Sequence, residues 1–194
     1  PASQMEKITC TGLDITWRKN LETNFRHLAT ELAHLSGEAF FEAVSRNLAQ
    51  ATGMDYVFVG SLDSDQGRIT VLGGHALGDT MDPLEYDLRG TPCEKVIGHD
   101  ACIYGRNVAR LFPEDRLLTE LRIEGYCGIP ITDNQARPLG ILVALHRHQL
   151  VKTDGIRQLL DIYSDRVAAE MQRARTEQCL RATETRFRTI LESV

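Results

Sequence analysis

The stretch from Tyr86 to Val143 constrains the fold more than any other part of this chain. It reads YDLRGTPCEKVIGHDACIYGRNVARLFPEDRLLTELRIEGYCGIPITDNQARPLGILV. Short helix signals alternate with strand signals, so the segment reads as helix, strand, helix, strand and hairpin. Elements in that order build one wall of a concave small-molecule site. The same stretch lacks paired groups for most catalysis. No G-x-S-x-G, Walker loop, HExxH or GxGxxG occurs in the chain. A cleft without machinery points to a sensor, and no catalytic residue is expected.

The flanks fill in the rest. Leu21, Phe25, Leu28, Leu32 and Leu35 follow a spacing of 4, 3, 4, 3. That places them on one narrow helical stripe. The stripe fits a helix–helix seam and equally an amphipathic helix packed on its own domain. Ser36-Gly37 breaks this helix, and Ser36 can cap a second one carrying Ala39, Phe40, Val44, Leu48 and Ala51, stopped by Gly53. Tyr56–Leu62 and Arg68–His75 read as a strand pair around the polar loop 63–67, and Leu84–Leu88 alternates as a third strand. Thr91-Pro92 opens a short helix, with Glu94 near the capping-box position. Ala101–Val108 reads as a strand. A helix begins at Pro113-Glu114-Asp115, and strands follow at Tyr126–Thr132 and Leu139–His146.

Thr153 and Asp154 can both cap a final helix with Ile156, Leu160, Tyr163, Val167 and Ala174 on one stripe. Its apolar set restarts out of phase at Leu180, then Phe187, Ile190 or Leu191, and Val194. Such a slip marks a joint between units. The expected fold class is α+β: a central, mostly antiparallel sheet of six strands, long terminal helices on one face, and short helices and loops forming a pocket on the other. The expected division is a linker or signalling helix at 1–35, a sensor domain at 36–174, and a linker helix with the start of a following module at 175–194.

Charge and cysteine content narrow the partners. A net charge of −5 argues against nucleic-acid binding, which leans on excess Lys and Arg. No apolar run approaches the ~20 residues that cross a bilayer, so no membrane contact is expected. No signal peptide is visible at Pro1–Met5. Five cysteines, an odd number at irregular spacing, fit reduced thiols in the cytoplasm.

The motifs GTPCEKVI at 90–97, FPED at 112–115, GYCGIPI at 125–131 and PLGILVAL at 138–145, in that order, resemble a GAF domain of the kind strung together with PAS modules in bacterial sensors. The resemblance covers about Phe40 to Met171. ETRFRTILESV at 184–194 is similar to the opening helix of a PAS domain. The resemblance implies a piece of a longer signalling protein, a histidine kinase or a diguanylate cyclase. It also implies a ligand pocket and a homodimer made through the terminal helices. Two departures stand out. The NKFDE-type motif of cyclic-nucleotide-binding relatives is absent, and Cys102 is followed by Ile103 where bilin-binding relatives have a Cys-His pair. Both ligands are thereby disfavoured, and the cofactor is left unknown.

For the pocket, the expected residues are Phe58, Thr91, Cys93, Ile97, Tyr104, Leu117, Leu121 and Tyr126. For the dimer helices they are Leu21, Phe25, Leu28, Leu32, Leu160, Tyr163 and Val167. A rival reading is thiol chemistry. Cys93 sits at a helix start, where the dipole favours thiolate, and Cys102 could serve as resolving thiol, as in free methionine-R-sulfoxide reductases. A third reading is a dimerising spacer with a filled pocket. Cys93, His99, Cys102 and Cys127 follow C-x5-H-x2-C-x24-C, which matches no zinc pattern, so no metal is expected.

Overall fold

The computed structural model describes residues 32–63, 65, 67–97, 100–151 and 153–192. The chain separates into two compact units, Pro1–Leu35 and Ser36–Val194. In the first, the described part is a turn in which the Leu35 N–H donates to the Leu32 carbonyl. Leu32 is buried. Leu21, Phe25 and Leu28 lie outside the described residues.

The second unit opens with α1 (Glu38–Thr52), which ends as expected at Gly53 in the left-handed conformation. Its start differs from the expectation. The cap position is Gly37, not Ser36, and no side chain near in sequence caps it. The Gly37 N–H donates instead to Glu170, at 2.7 Å and 133 residues away. The strands are β1 (Tyr56–Leu62), β2 (Arg68–Ala76), β3 (Asp79–Thr80) and β4 (Glu85–Asp87). Next come α2 (Pro92–Val96), β5 (Cys102–Tyr104), α3 (Val108–Leu111) and α4 (Arg116–Glu120). The chain closes with β6 (Gly125–Thr132), β7 (Pro138–His146) and the 40-residue α5 (Thr153–Glu192).

The sheet runs β3-β2-β1-β7-β6-β5, with β4 also paired to the outer edge of β2. Every pairing is antiparallel. The α+β class and the antiparallel sheet agree with the sequence reading. The strand beyond the expected six is β3. It forms because Leu77 and Gly78, at φ 52° and 104°, turn the chain tightly back onto β2. The Ala101–Val108 strand is shorter than expected. It stops at Tyr104, and Asn107 at φ 59° turns the chain into α3, where Val108 is buried.

Strand alternation divides the core in two. Val57, Val59, Cys127, Ile129, Ile131, Leu142 and Ala144 are buried on one face, the side packed by α1 and α5. Phe40, Phe41, Val44 and Leu48 of α1 are buried with Ile156, Leu159, Leu160, Tyr163, Val167 and Met171 of α5. This corrects the dimer-helix expectation for Leu160, Tyr163 and Val167. All three are fully buried within a single chain, so their stripe is consumed by the sheet rather than offered to a second copy. The helix itself runs unbroken through the phase slip at Ala174–Leu180.

Glu170 locks these two helices together. It is a buried carboxylate that accepts from the Gly37 N–H and from Arg173 Nε and Nη2 at 3.0 and 2.8 Å. These contacts, the Arg173 hydrogen bonds foremost, hold its pKa below the usual glutamate value although burial pulls the other way. A depressed folded pKa stabilises above the unfolded value of ~4.3, and that contribution is lost as pH falls through the folded value. Glu170→Gln is therefore expected to lower stability at neutral pH by about 1–3 kcal/mol, the scale for a charged hydrogen bond. The gap from wild type should narrow as pH falls from the unfolded value through the folded one. Urea unfolding at pH 7 and pH 3 checks this.

Candidate functional site

The second face of the sheet lies under α2, α3 and α4, helices of only four or five residues. Tyr56, Phe58, Ile69, Val71, Tyr126, Ile141, Val143 and Leu145 point into it from the strands. Leu88, Cys93, Val96, Val108, Leu118 and Ile123 close over them from the loops and helices.

A polar point sits inside this apolar layer. Cys93 Sγ accepts hydrogen bonds from Tyr86 Oη at 3.2 Å and Tyr126 Oη at 3.3 Å. Three local features bring these groups together. Pro92 starts α2 one residue before Cys93, so the thiol is carried on the first turn. Tyr86 lies on β4, where alternation aims it inward to meet Phe58 edge-on. Tyr126 lies on β6 two residues before Gly128, on the same face. A Cβ added at Gly128 would stand 2.8 Å from Tyr126 Cζ, so the missing side chain is what lets the phenol lie along its own strand. Tyr126 continues an aromatic row to Tyr104 and then Phe112, with centroids 5.9 and 5.2 Å apart. Thr91 is buried beside Cys93 and donates to the Leu88 carbonyl at 2.7 Å rather than capping α2 with its side chain. The capping box does not form on the other arm either: the Thr91 N–H donates to the Leu88 carbonyl, and Glu94 accepts instead from the Gly90 N–H at 3.0 Å, one residue before the cap.

The electrostatics keep this centre neutral. Burial pushes the Cys93 thiol up to about 11 despite the two phenol hydrogen bonds that favour thiolate. Tyr86 and Tyr126 both titrate well above the ordinary phenol, chiefly because they are buried. Asp115 caps α4 by accepting from the Leu118 N–H, and burial raises its pKa. The expected activation of Cys93 by a helix start does not occur. One short helical turn supplies less than desolvation removes. Burial also raises Cys102, and lifts Cys127 to about 12 on the opposite face. At neutral pH the site offers hydroxyl and thiol groups in an apolar setting. Such groups can orient a ligand.

The expected pocket residues divide as follows. Phe58, Cys93 and Tyr126 are in the buried cluster, and Ile97, Tyr104 and Leu121 are partly buried against it. Thr91 is beside them. Leu117 is half-buried and outside the cluster, because its neighbour Leu118 occupies the inward position of α4. Tyr86, Phe112 and Ile123 belong to the site and were not anticipated. For Tyr86 the signal was present in the alternation Leu84, Tyr86, Leu88. Among the described residues no group of three or more His, Cys, Asp or Glu is placed to hold a metal. No described helix is long and apolar enough to cross a membrane.

Solved structures share this fold. The GAF domain of a phosphoenolpyruvate-protein phosphotransferase from Acinetobacter superposes with a TM-score of 0.66 at 12% identity, covering 84% of this chain and 97% of that one. The GAF domain of the Coxiella burnetii phosphoenolpyruvate-protein phosphotransferase gives 0.65 at 19% identity, covering 83% and 98%. The chromophore-binding domain of a Stigmatella aurantiaca bacteriophytochrome gives 0.61 at 12% identity over 79% of this chain and 59% of that one. No curated protein matches the chain in sequence. At such low identities the superpositions establish the fold alone. The sequence carries the rest, for the profile of the GAF domain family matches residues 36–171, the span that builds both faces of the sheet. On that match the chain belongs to the GAF domain family.

Proposed function

We propose that this chain is the small-molecule-sensing regulatory domain of a cytoplasmic signalling protein. The observation that carries this reading is the Tyr86–Cys93–Tyr126 centre, a set of neutral hydrogen-bonding groups enclosed by apolar and aromatic side chains. Its roof is made of the shortest helices, the elements with least of their own hydrogen bonding to hold them in place. A ligand of matching character, mostly apolar or aromatic with one or two neutral polar groups, would enter by displacing part of that roof. The bacteriophytochrome relative is described as chromophore-binding. Here the Cys-His pair expected for a bilin is absent, so a different ligand is favoured.

Occupancy would bias the packing of α5, which would pass the bias to a following PAS-like module and on to a kinase or cyclase output. A coupling of about 1–3 kcal/mol is enough for such a relay. The protein would work as a homodimer. With Leu160, Tyr163 and Val167 turned inward, the seam would use the part of α5 beyond the sheet, where Leu180 is 65% exposed. Native mass spectrometry of freshly purified protein tests the ligand. A retained small molecule is the expected result. Protein that is free of ligand and gains no thermal stability from a panel of aromatic metabolites would overturn the reading.

A dimerising spacer is the second reading, supported by the mutual packing of the cleft residues. The same measurement separates the two, since a spacer retains and responds to nothing. The thiol-chemistry alternative meets the raised Cys93 directly. Among the described cysteines, alkylation at pH 7 is expected at the exposed Cys179 first and at Cys93 only on unfolding.

A further inference from the structure

Arg175 stands where α5 leaves the folded body. Its Nη2 donates to the Leu62 carbonyl at 3.1 Å and to the Leu139 carbonyl at 2.9 Å. Leu62 is the last residue of β1, and Leu139 lies at the start of β7. These strands are paired neighbours in the middle of the sheet. On the opposite face the same two strands carry Phe58, Ile141 and Val143 into the cleft cluster. One guanidinium therefore holds the ends of both strands that floor the cleft.

The surroundings leave this contact room to work. Arg175 lies between two hollows, one of about 870 Å³ reaching to the β6–β7 turn and one of about 260 Å³ reaching to Gly37 and Phe41. Beyond it, Thr176 and 178–181 are exposed. Between cleft and contact the strands are thin. Gly60 and Gly140 carry no side chains, and the β1–β2 register shifts between Val59 and Gly60.

We infer that Arg175 is the positioning residue that couples the cleft face of the sheet to the outgoing helix. The inference rests on the sensing function proposed above. A change in packing at Phe58 or Val143 shifts β1 and β7 along their common hydrogen-bond ladder. The Leu62 and Leu139 carbonyls move with them, and the guanidinium carries that movement into the rotation of α5. Arginine suits the task because Nη2 carries two N–H donors, one for each carbonyl. A continuous set of hydrogen-bonded elements joins the two places.

The experiment is amide hydrogen exchange on the full chain in four forms: wild type, Phe58→Leu, Arg175→Met and the double variant. Phe58→Leu perturbs the cleft mechanically, so no ligand is required. Arg175→Met should speed exchange in residues 176–186 on the order of tenfold, the scale of losing a charged hydrogen bond. Phe58→Leu should shift exchange in 176–186 several-fold when Arg175 is present and leave it unmoved in the double variant. An undiminished Phe58→Leu effect in the double variant, or unchanged α5 exchange in Arg175→Met, overturns the inference. Residues 125–146 serve as the internal reference for folding. If they also loosen in Arg175→Met, Arg175→Lys is added, whose ammonium can still donate to both carbonyls; it should restore the reference and the coupling together, and a restored reference without restored coupling overturns the inference. Failure of the sensing reading is seen separately, as ligand-free protein in native mass spectrometry with this exchange pattern intact.

Discussion

Replacing Gly140 by alanine is expected to destabilise the domain by about 3 kcal/mol, at the upper end of the usual range for overpacking. The reason is local and severe. A Cβ built there would collide with the Gly60 carbonyl oxygen, and Met171 Cε would stand 2.9 Å away on the other side. The carbonyl belongs to the backbone of the neighbouring strand and cannot swing aside as a side chain can. Met171 is buried, so it has little space to retreat. The strain must spread into the pairing of β1 and β7, the centre of the sheet. Gly67→Ala is the control, because an added methyl there meets nothing within 4 Å. Its change should stay within about 0.5 kcal/mol. Urea unfolding of both variants, compared with wild type, decides the point. A Gly140→Ala protein as stable as the Gly67→Ala control would show that β1 and β7 can separate without penalty.

Tyr126→Ala is expected to cost about 3–5 kcal/mol, as for other large aromatic truncations in a core. Its ring is 1% exposed, packs on Tyr104, and delivers one of the two hydroxyls to Cys93. Tyr126→Phe divides the effect. Ring packing is kept, one hydrogen bond is lost, and the expected change is about 1 kcal/mol. The phenylalanine variant carries a second signature. The Tyr126 hydroxyl favours the thiolate of Cys93, so its removal should drive the already raised thiol higher. The ultraviolet absorbance of the Cys93 thiolate in the folded protein, read against a Cys93→Ser reference, should therefore appear at higher pH. If Tyr126→Phe leaves both stability and the Cys93 titration untouched, the hydroxyl–thiol contact contributes nothing and the polar centre is incidental.

Most of the sheet was legible before any coordinates. β1, β2, β6 and β7 announce themselves through β-branched runs and polar loops, and their pairing follows from hairpin connections. Gly53 and Pro92 mark helix boundaries by their own backbone preferences. The two-residue β3 and the four-residue α3 were not legible, because elements that short have no period to read. The site was legible in part. Phe58, Cys93 and Tyr126 were recognisable as neighbours of the short helices. That Tyr86 joins Tyr126 on one sulfur was not, since that depends on Gly128 leaving space for a ring.

Local periodicity and turn chemistry determine which segments of this chain become strands and helices, because those preferences act over a few residues and are written there. Three matters were decided only in the tertiary structure. The Leu160–Tyr163–Val167 stripe faces the domain's own sheet, although a stripe alone is compatible with any apolar partner. Gly37 is capped by Glu170, which chain order places far away. Cys93 is a neutral thiol, because the water it loses on burial outweighs the hydrogen bonds that favour thiolate. Each turns on what lies on the far side of a contact, and that is a property of the assembled layers.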